Sequence, residues 1–259
     1  MIPKKIHYCW FGGAPKTKMG MKCIKSWKKH CPGYEIIEWN EDNFDFSEAP
    51  LYFRQAFEAK KWAFVADYVR FKVVYDNGGI YMDTDVELKK SLDPLLTNSA
   101  YFGFEDNVHI NTGHGFGAEA GLPILKELID DYVGVSFINE DGSFNTLPSP
   151  NRNTPIFIKH GLVADNTKQV LDGNILILPR DHLCPIGFDG SKHFSKNTIS
   201  VHLFEGTWLT SKSKKNNEKD RRRKKRVDTI HYITHIPNRV IRSLLGRDRY
   251  ESFKKKMKG

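Results

Sequence analysis

Apolar positions along the chain alternate between two periods. Trp62, Val65, Ala66, Val69 and Val73 fall at i, i+3, i+4, i+7 and i+11, which predicts a helix. Phe64, Tyr68, Phe71 and Tyr75 cover much of its remaining surface, so the helix should be buried on most sides. Asp67 and Arg70, at i, i+3, are its opposite-charge pair on one face. Asn77-Gly78-Gly79 then predicts a left-handed stop. From Ile80 to Val86 the period becomes two. That predicts a strand with Tyr81, Asp83 and Asp85 on one side and Ile80, Met82, Thr84 and Val86 on the other.

The rest reads in the same way. Ile6, Tyr8 and Trp10 alternate on a first strand that runs into Gly12-Gly13. Lys16 to His30 predicts a helix with Met21, Ile24 and Trp27 on its inner side, and Tyr34–Trp39 a second strand. Residues 44–60 are acidic and aromatic, helical from about Ala49. Residues 87–96 read as a strand and a short helix, 101–105 as a strand, 122–132 as an amphipathic helix opened by Pro123. Residues 134–150 read as a loop, 174–179 as a buried strand, and 198–208 as a strand delivering His202 at its end. This order predicts one α/β domain, a mostly parallel sheet flanked by helices, over residues 1–208.

Charge changes the picture at residue 209. Residues 209–259 hold 18 Lys/Arg against 5 Asp/Glu, leaving 22 against 26 for residues 1–208. The overall +9 therefore belongs to a basic C-terminal tail and not to the body. In that tail Ile236, Val240, Ile241, Leu244 and Leu245 form one helical stripe flanked by arginines. A polybasic run beside an amphipathic helix suits an anionic membrane surface, with docking on the protein's own core as the alternative. No nucleic-acid motif is visible, so no nucleic-acid partner is expected. No apolar run reaches the roughly 18 residues of a membrane span, and the first residues lack the apolar segment of a signal peptide. The expected location is cytoplasmic, peripheral on the inner face of the membrane if the tail binds lipid. The four cysteines show no metal spacing and read as free thiols, with a Cys23–Cys31 bridge as the alternative.

Candidate chemistry centres on Asp83 and Asp85. Two carboxylates one residue apart at a strand end make a hard-oxygen pocket suited to Mg²⁺ or Mn²⁺ bridged to phosphate. A solvated strand end is the bland alternative. The pattern A-x-x-x-D-x-x-R followed by Y-x-x-G-G-x-Y-x-D-x-D (Ala63, Asp67, Arg70, Tyr75, Gly78, Gly79, Tyr81, Asp83, Asp85) resembles the DxD-containing glycosyltransferases of family 32. That family includes capsular-polysaccharide transferases, fungal mannosyltransferases and the glucosylating domains of clostridial toxins.

The resemblance implies a GT-A fold, a nucleotide-sugar donor, UDP-linked, a divalent metal (Mn²⁺ or Mg²⁺) and retention of configuration. It implies a glycan or lipid-linked glycan acceptor, such as a capsular, O-antigen or exopolysaccharide unit. Asp67 and Arg70 would grip sugar hydroxyls, Asp85 would ligate the metal, and Asp83 would bind metal, ribose or sugar. Trp10 would stack on the base, with Gly79 and Tyr81 beside the donor. Asn111 in the glycine-rich 109–118 segment would lie near the sugar, with a structural turn as the alternative; His109 and His114 are expected to face solvent. His202 is a candidate third metal ligand, with Thr207 and Glu205 as alternative oxygen donors and Trp208 closing the family's ending. Asn153-Thr154-Pro155 resembles the family's T-G-P helix start, with Thr154 in place of its glycine. Two other readings remain: a nucleotide-sugar hydrolase, and a non-catalytic glycan- or membrane-binding relative.

Overall fold

In the computed structural model, residues 1–206 are described. Thr207, Trp208 and the whole basic tail lie outside the described residues. The chain order begins with strand β1 (Lys5–Cys9), helix α1 (Lys18–His30), strand β2 (Glu35–Trp39), helix α2 (Leu51–Glu58) and helix α3 (Trp62–Asn77). Strands β3 (Gly79–Tyr81), β4 (Val86–Leu88), β5 (Ala100–Phe104), β6 (Ile110–Asn111) and β7 (Phe116–Ala118) follow. Then come helices α4 (Pro123–Asp130) and α5 (Ser149–Lys159), strands β8 (Gln169–Leu171) and β9 (Ile175–Leu178), helix α6 (Arg180–Leu183) and strand β10 (Ser200–His202).

The main sheet has the order β2-β1-β3-β7-β5-β9-β8, with β6 paired to β5. Strands β2, β3, β5 and β9 run with β1, while β6, β7 and β8 run against it. The expected α/β class and mostly parallel sheet are thus present. The carboxyl ends of β1, β3, β5 and β9 share one edge, the usual place for ligand crevices in open α/β sheets. Each face of the sheet is covered. An aromatic-rich cluster fills the side under α2–α5, and a second cluster containing Cys23, Trp27, Val86 and Leu183 fills the other.

Helix α3 has the predicted start and buries nine of its residues, among them Arg70. Its stop is the positive-φ glycine pair expected: Gly78 takes φ 61°, ψ 177°, a region essentially restricted to glycine, which turns the chain directly into β3. The single strand expected from Ile80 to Val86 is broken. β3 ends at Tyr81, and the Val86 amide donates to the Asp83 carbonyl (3.0 Å), closing a turn before β4. Asp83 and Asp85 therefore sit on a turn between two sheets. Antiparallel pairing of β4 with β10 forms the second sheet and sets Val86 opposite His202.

Three further expectations fail for physical reasons. Met21 is 55% exposed, because Gly20, Cys23 and Trp27 form the buried side of α1. Helix α5 starts at Ser149, with Pro150 in its first turn where a missing amide costs nothing, so Asn153-Thr154-Pro155 lies inside the helix. His114 is fully buried and donates from Nε2 to the Gly103 carbonyl (3.1 Å); His109 remains partly exposed on Asp106.

Candidate active site

The site lies where β3 leaves the sheet. The turn is held from both sides: Met82 N donates to His7 O (3.1 Å) and Asp83 N to Gly113 O (2.9 Å). Gly113 is required here by proximity, since a Cβ at that position would stand 2.3 Å from Asp83 Oδ2 and 3.2 Å from Arg70 Nη1.

Arg70 is the hub of one wall. Its Nη2 lies 2.9 Å from Asp67 Oδ1 and 3.4 Å from Asp83 Oδ1. Nε donates to the Ala66 carbonyl (3.2 Å) and Nη1 to Thr112 Oγ1 (3.4 Å). Each guanidinium nitrogen thus has a protein acceptor. The guanidinium also stands over the Tyr81 ring, 5.1 Å from its centroid, and the Tyr81 hydroxyl donates to Asp83 Oδ1 (2.8 Å). Behind it, Asn153 Nδ2 donates to Thr112 Oγ1 (3.1 Å), and Thr154 Oγ1 accepts from Ile110 N (2.9 Å). Burial alone would lower the Arg70 pKa, but Asp83 and Asp67 outweigh it and hold the guanidinium charged. Burial pushes the Asp67 carboxyl up to about 6 despite Arg70.

The other wall comes from β4 and β10. His202 Nε2 lies 3.2 Å from Asp85 Oδ1, and the Glu205 amide donates to Asp85 Oδ2 (2.8 Å). The imidazole packs on Phe204 with ring centroids 4.1 Å apart. His202 Nδ1 is buried and has no hydrogen-bond partner among the described residues. Burial and the nearby Asp85 charge raise the Asp83 carboxyl, although Arg70 pulls it down. At Asp85 burial is outweighed by His202 and the backbone donors, so its carboxyl is held below the usual range.

Ligand-capable atoms of Asp83, Asp85 and His202 lie within 4.8 Å of one another. Two carboxylates that repel each other beside an imidazole are a donor set that suits Mn²⁺ or Mg²⁺. The donor chemistry therefore fits the divalent ion implied by the sequence.

The remaining candidates are distributed more widely. Trp10 follows β1 at the same edge, half-buried, with Nε1 donating to Ala14 O (2.6 Å) and Lys16 Nζ 6.0 Å from its ring. Gly79 lies inside the sheet, where a Cβ would stand 2.9 Å from His7 Nε2. Asn111 is buried with both amide ends engaged: Nδ2 donates to Glu105 Oε2 (2.5 Å) and Oδ1 accepts from Gly113 N (2.6 Å). Its role in this structure is to shape the loop that carries Gly113. Glu205 accepts from Thr17 Oγ1 (3.1 Å), at the N-cap of α1. Sequence reasoning missed Thr112 and Asn153, whose only signal is their place in glycine-rich and N-T-P segments.

Residues 17–102 match the family model described as "Glycosyltransferase sugar-binding region containing DXD motif". Over that stretch the chain is similar to the DXD-type sugar-binding region of glycosyltransferases. The matched residues include α1, α3, the Asp67–Arg70 pair and the Asp83–Asp85 turn. The chain is similar to inositol phosphoceramide mannosyltransferase 3 of Schizosaccharomyces pombe. The two are 30% identical over 146 residues, which is 52% of this chain and 38% of the relative. It is also similar to an uncharacterized glycosyltransferase of Acanthamoeba polyphaga mimivirus, at 22% identity, covering 74% of this chain and 77% of that one. Among solved structures, PaToxG glycosyltransferase aligns with a TM-score of 0.47 at 18% identity, covering 61% of this chain and 69% of that chain. The chain thus spans less than half the length of the fission-yeast mannosyltransferase that it matches.

Proposed function

We propose that the protein is a metal-dependent, retaining glycosyltransferase of GT-A type that takes its sugar from a nucleotide-sugar donor. The observation that carries this reading is the meeting of Asp83, Asp85 and His202 beside the Asp67–Arg70 pair. Asp83, Asp85 and His202 hold a divalent cation, which when bound neutralises the charge developing on a diphosphate leaving group. Arg70, with its nitrogens already engaged, fixes the carboxylates of Asp67 and Asp83. Those carboxylates accept hydrogen bonds from sugar hydroxyls. Trp10, at the same sheet edge, stacks on the base.

The acceptor is a glycan, free or lipid-linked. The family resemblance favours a UDP-sugar and a capsular or O-antigen type of acceptor. The names of the curated relatives favour mannose and an inositol-phosphate lipid. Both belong in the same assay. A panel of UDP- and GDP-linked sugars is incubated with Mn²⁺, with Mg²⁺ and with chelator, with and without candidate acceptors. One donor should be consumed in a metal-dependent way, faster with the right acceptor. Asp85→Ala should lower that rate on the order of 10³-fold while the circular-dichroism spectrum is unchanged. Equal turnover in chelator, or by the variant, rejects the reading. Consumption that no acceptor accelerates makes the protein a hydrolase.

A further inference from the structure

Helix α1 carries Lys18, Lys22, Lys25 and Lys29 at i, i+4, i+7 and i+11, a single stripe on its exposed side. Lys28 flanks the stripe. Met21, 55% exposed, stands beside it. The buried side, Gly20, Cys23 and Trp27, lies opposite. The helix contains no Asp or Glu. Among the described residues Lys22 reaches Glu87 at 3.4 Å, whereas Lys18, Lys25, Lys28 and Lys29 have no carboxylate within ion-pairing distance. A helix face that serves only solubility ordinarily mixes both signs of charge. This one is purely cationic on a body whose residues 1–208 are net acidic.

We propose that the exposed face of α1 is a docking surface for a bilayer rich in anionic phospholipid. The lysine ammoniums meet lipid phosphates and carboxylates, and Met21 enters the headgroup layer. A nucleic acid fits less well: no aromatic ring lies on this face to stack bases, since Trp27 points inward. The first turn of α1 abuts the site, because Gly20 packs on Thr84 and Thr17 bonds to Glu205. Docking through α1 therefore holds the Asp83–Asp85 turn close to the lipid surface, which suits a lipid-borne acceptor. That last consequence rests on the proposed function; the docking surface does not.

The test is co-sedimentation of the full chain with phosphatidylcholine vesicles, with and without phosphatidylserine. Wild type should bind only the anionic vesicles. K25Q/K28Q/K29Q should bind them on the order of a hundredfold more weakly, and Lys25→Gln alone about fivefold. A control that removes equal charge elsewhere, K60Q/K159Q/K168Q, should stay within a few-fold of wild type. The proposal is overturned if the α1 variant partitions like wild type or if both triple variants lose binding alike. It is also overturned if the α1 variant loses only single-stranded RNA binding. Donor turnover measured without vesicles should be unchanged in the α1 variant, so failure of docking and failure of the transferase reading register separately.

Discussion

The two carboxylates of the Asp83–Asp85 turn sit two residues apart and live in different walls. Asp83 faces the α3 wall, where Arg70, Tyr81, Thr112 and Asn153 close a network in which every guanidinium nitrogen is bonded. Asp85 faces the β4–β10 wall, where its partners are the Glu205 amide and one imidazole that keeps a buried, unpartnered nitrogen. The first wall satisfies its guanidinium within the protein and leaves only Asn153 Oδ1, at its back, buried without a partner among the described residues. The second is a donor set drawn together and left able to accept a further group. Such a division separates stability from chemistry within one turn.

The sharpest way to break this contrast is to remove each hub. Arg70→Ala removes a buried guanidinium and leaves the half-buried Asp67 and Asp83 carboxylates without their cation, and should cost about 3 kcal/mol, read by denaturant unfolding. Asp85→Ala relieves a carboxylate–carboxylate repulsion as it removes the His202 partner, and should cost about 1 kcal/mol or less. Equal losses would show that both walls are structural.

A smaller effect tests what lies beneath the glycine-rich loop. Burial, with the His202 charge as the next contribution, depresses the pKa of His114 to about 3. In the unfolded chain its pKa is about 6.5. The unfolded state therefore binds a proton below pH 6.5 that the folded state refuses, and stability falls as pH falls. Between pH 7 and 5 the loss should be about 2 kcal/mol. His114→Phe should flatten that difference in denaturation curves; parallel curves for the two proteins would contradict a buried neutral imidazole.

The smallest effect refines the first wall. Asn153→Ala removes the donor to Thr112 Oγ1 and should cost about 1 kcal/mol. If Thr112 sets the Arg70 geometry, the apparent donor affinity should also drop a few-fold in a nucleotide-sugar titration. A stability loss with unchanged affinity would restrict Asn153 to packing.

Legibility followed sequence distance. Helix α3, the double glycine and the paired acids are contiguous, so periodicity and spacing exposed them together. Strand alternation does not account for their convergence: it ends at Tyr81, and Asp83 and Asp85 share a turn. The β4–β10 pairing joins segments more than a hundred residues apart, and no local pattern encodes it. His202 came into view only through family resemblance and its place after a strand. A histidine among glycines reads as exposed, whereas His114 is fully buried near Gly103. Met21 reads as inward because three apolar residues fit one helical face as well as another when glycine and cysteine can line the core.

The second sheet also fixes an order of assembly. A growing chain completes α3, its arginine hub and both acids well before residue 202 exists, so the cationic–acidic grip can form early. The imidazole arrives only when the strand at 200–202 zips onto residues 86–88. Until then Asp85 has no ring beside it, and the nascent domain has its Arg70 wall without the third of the three clustered donors. The pairing of the last short strand thus completes the cluster.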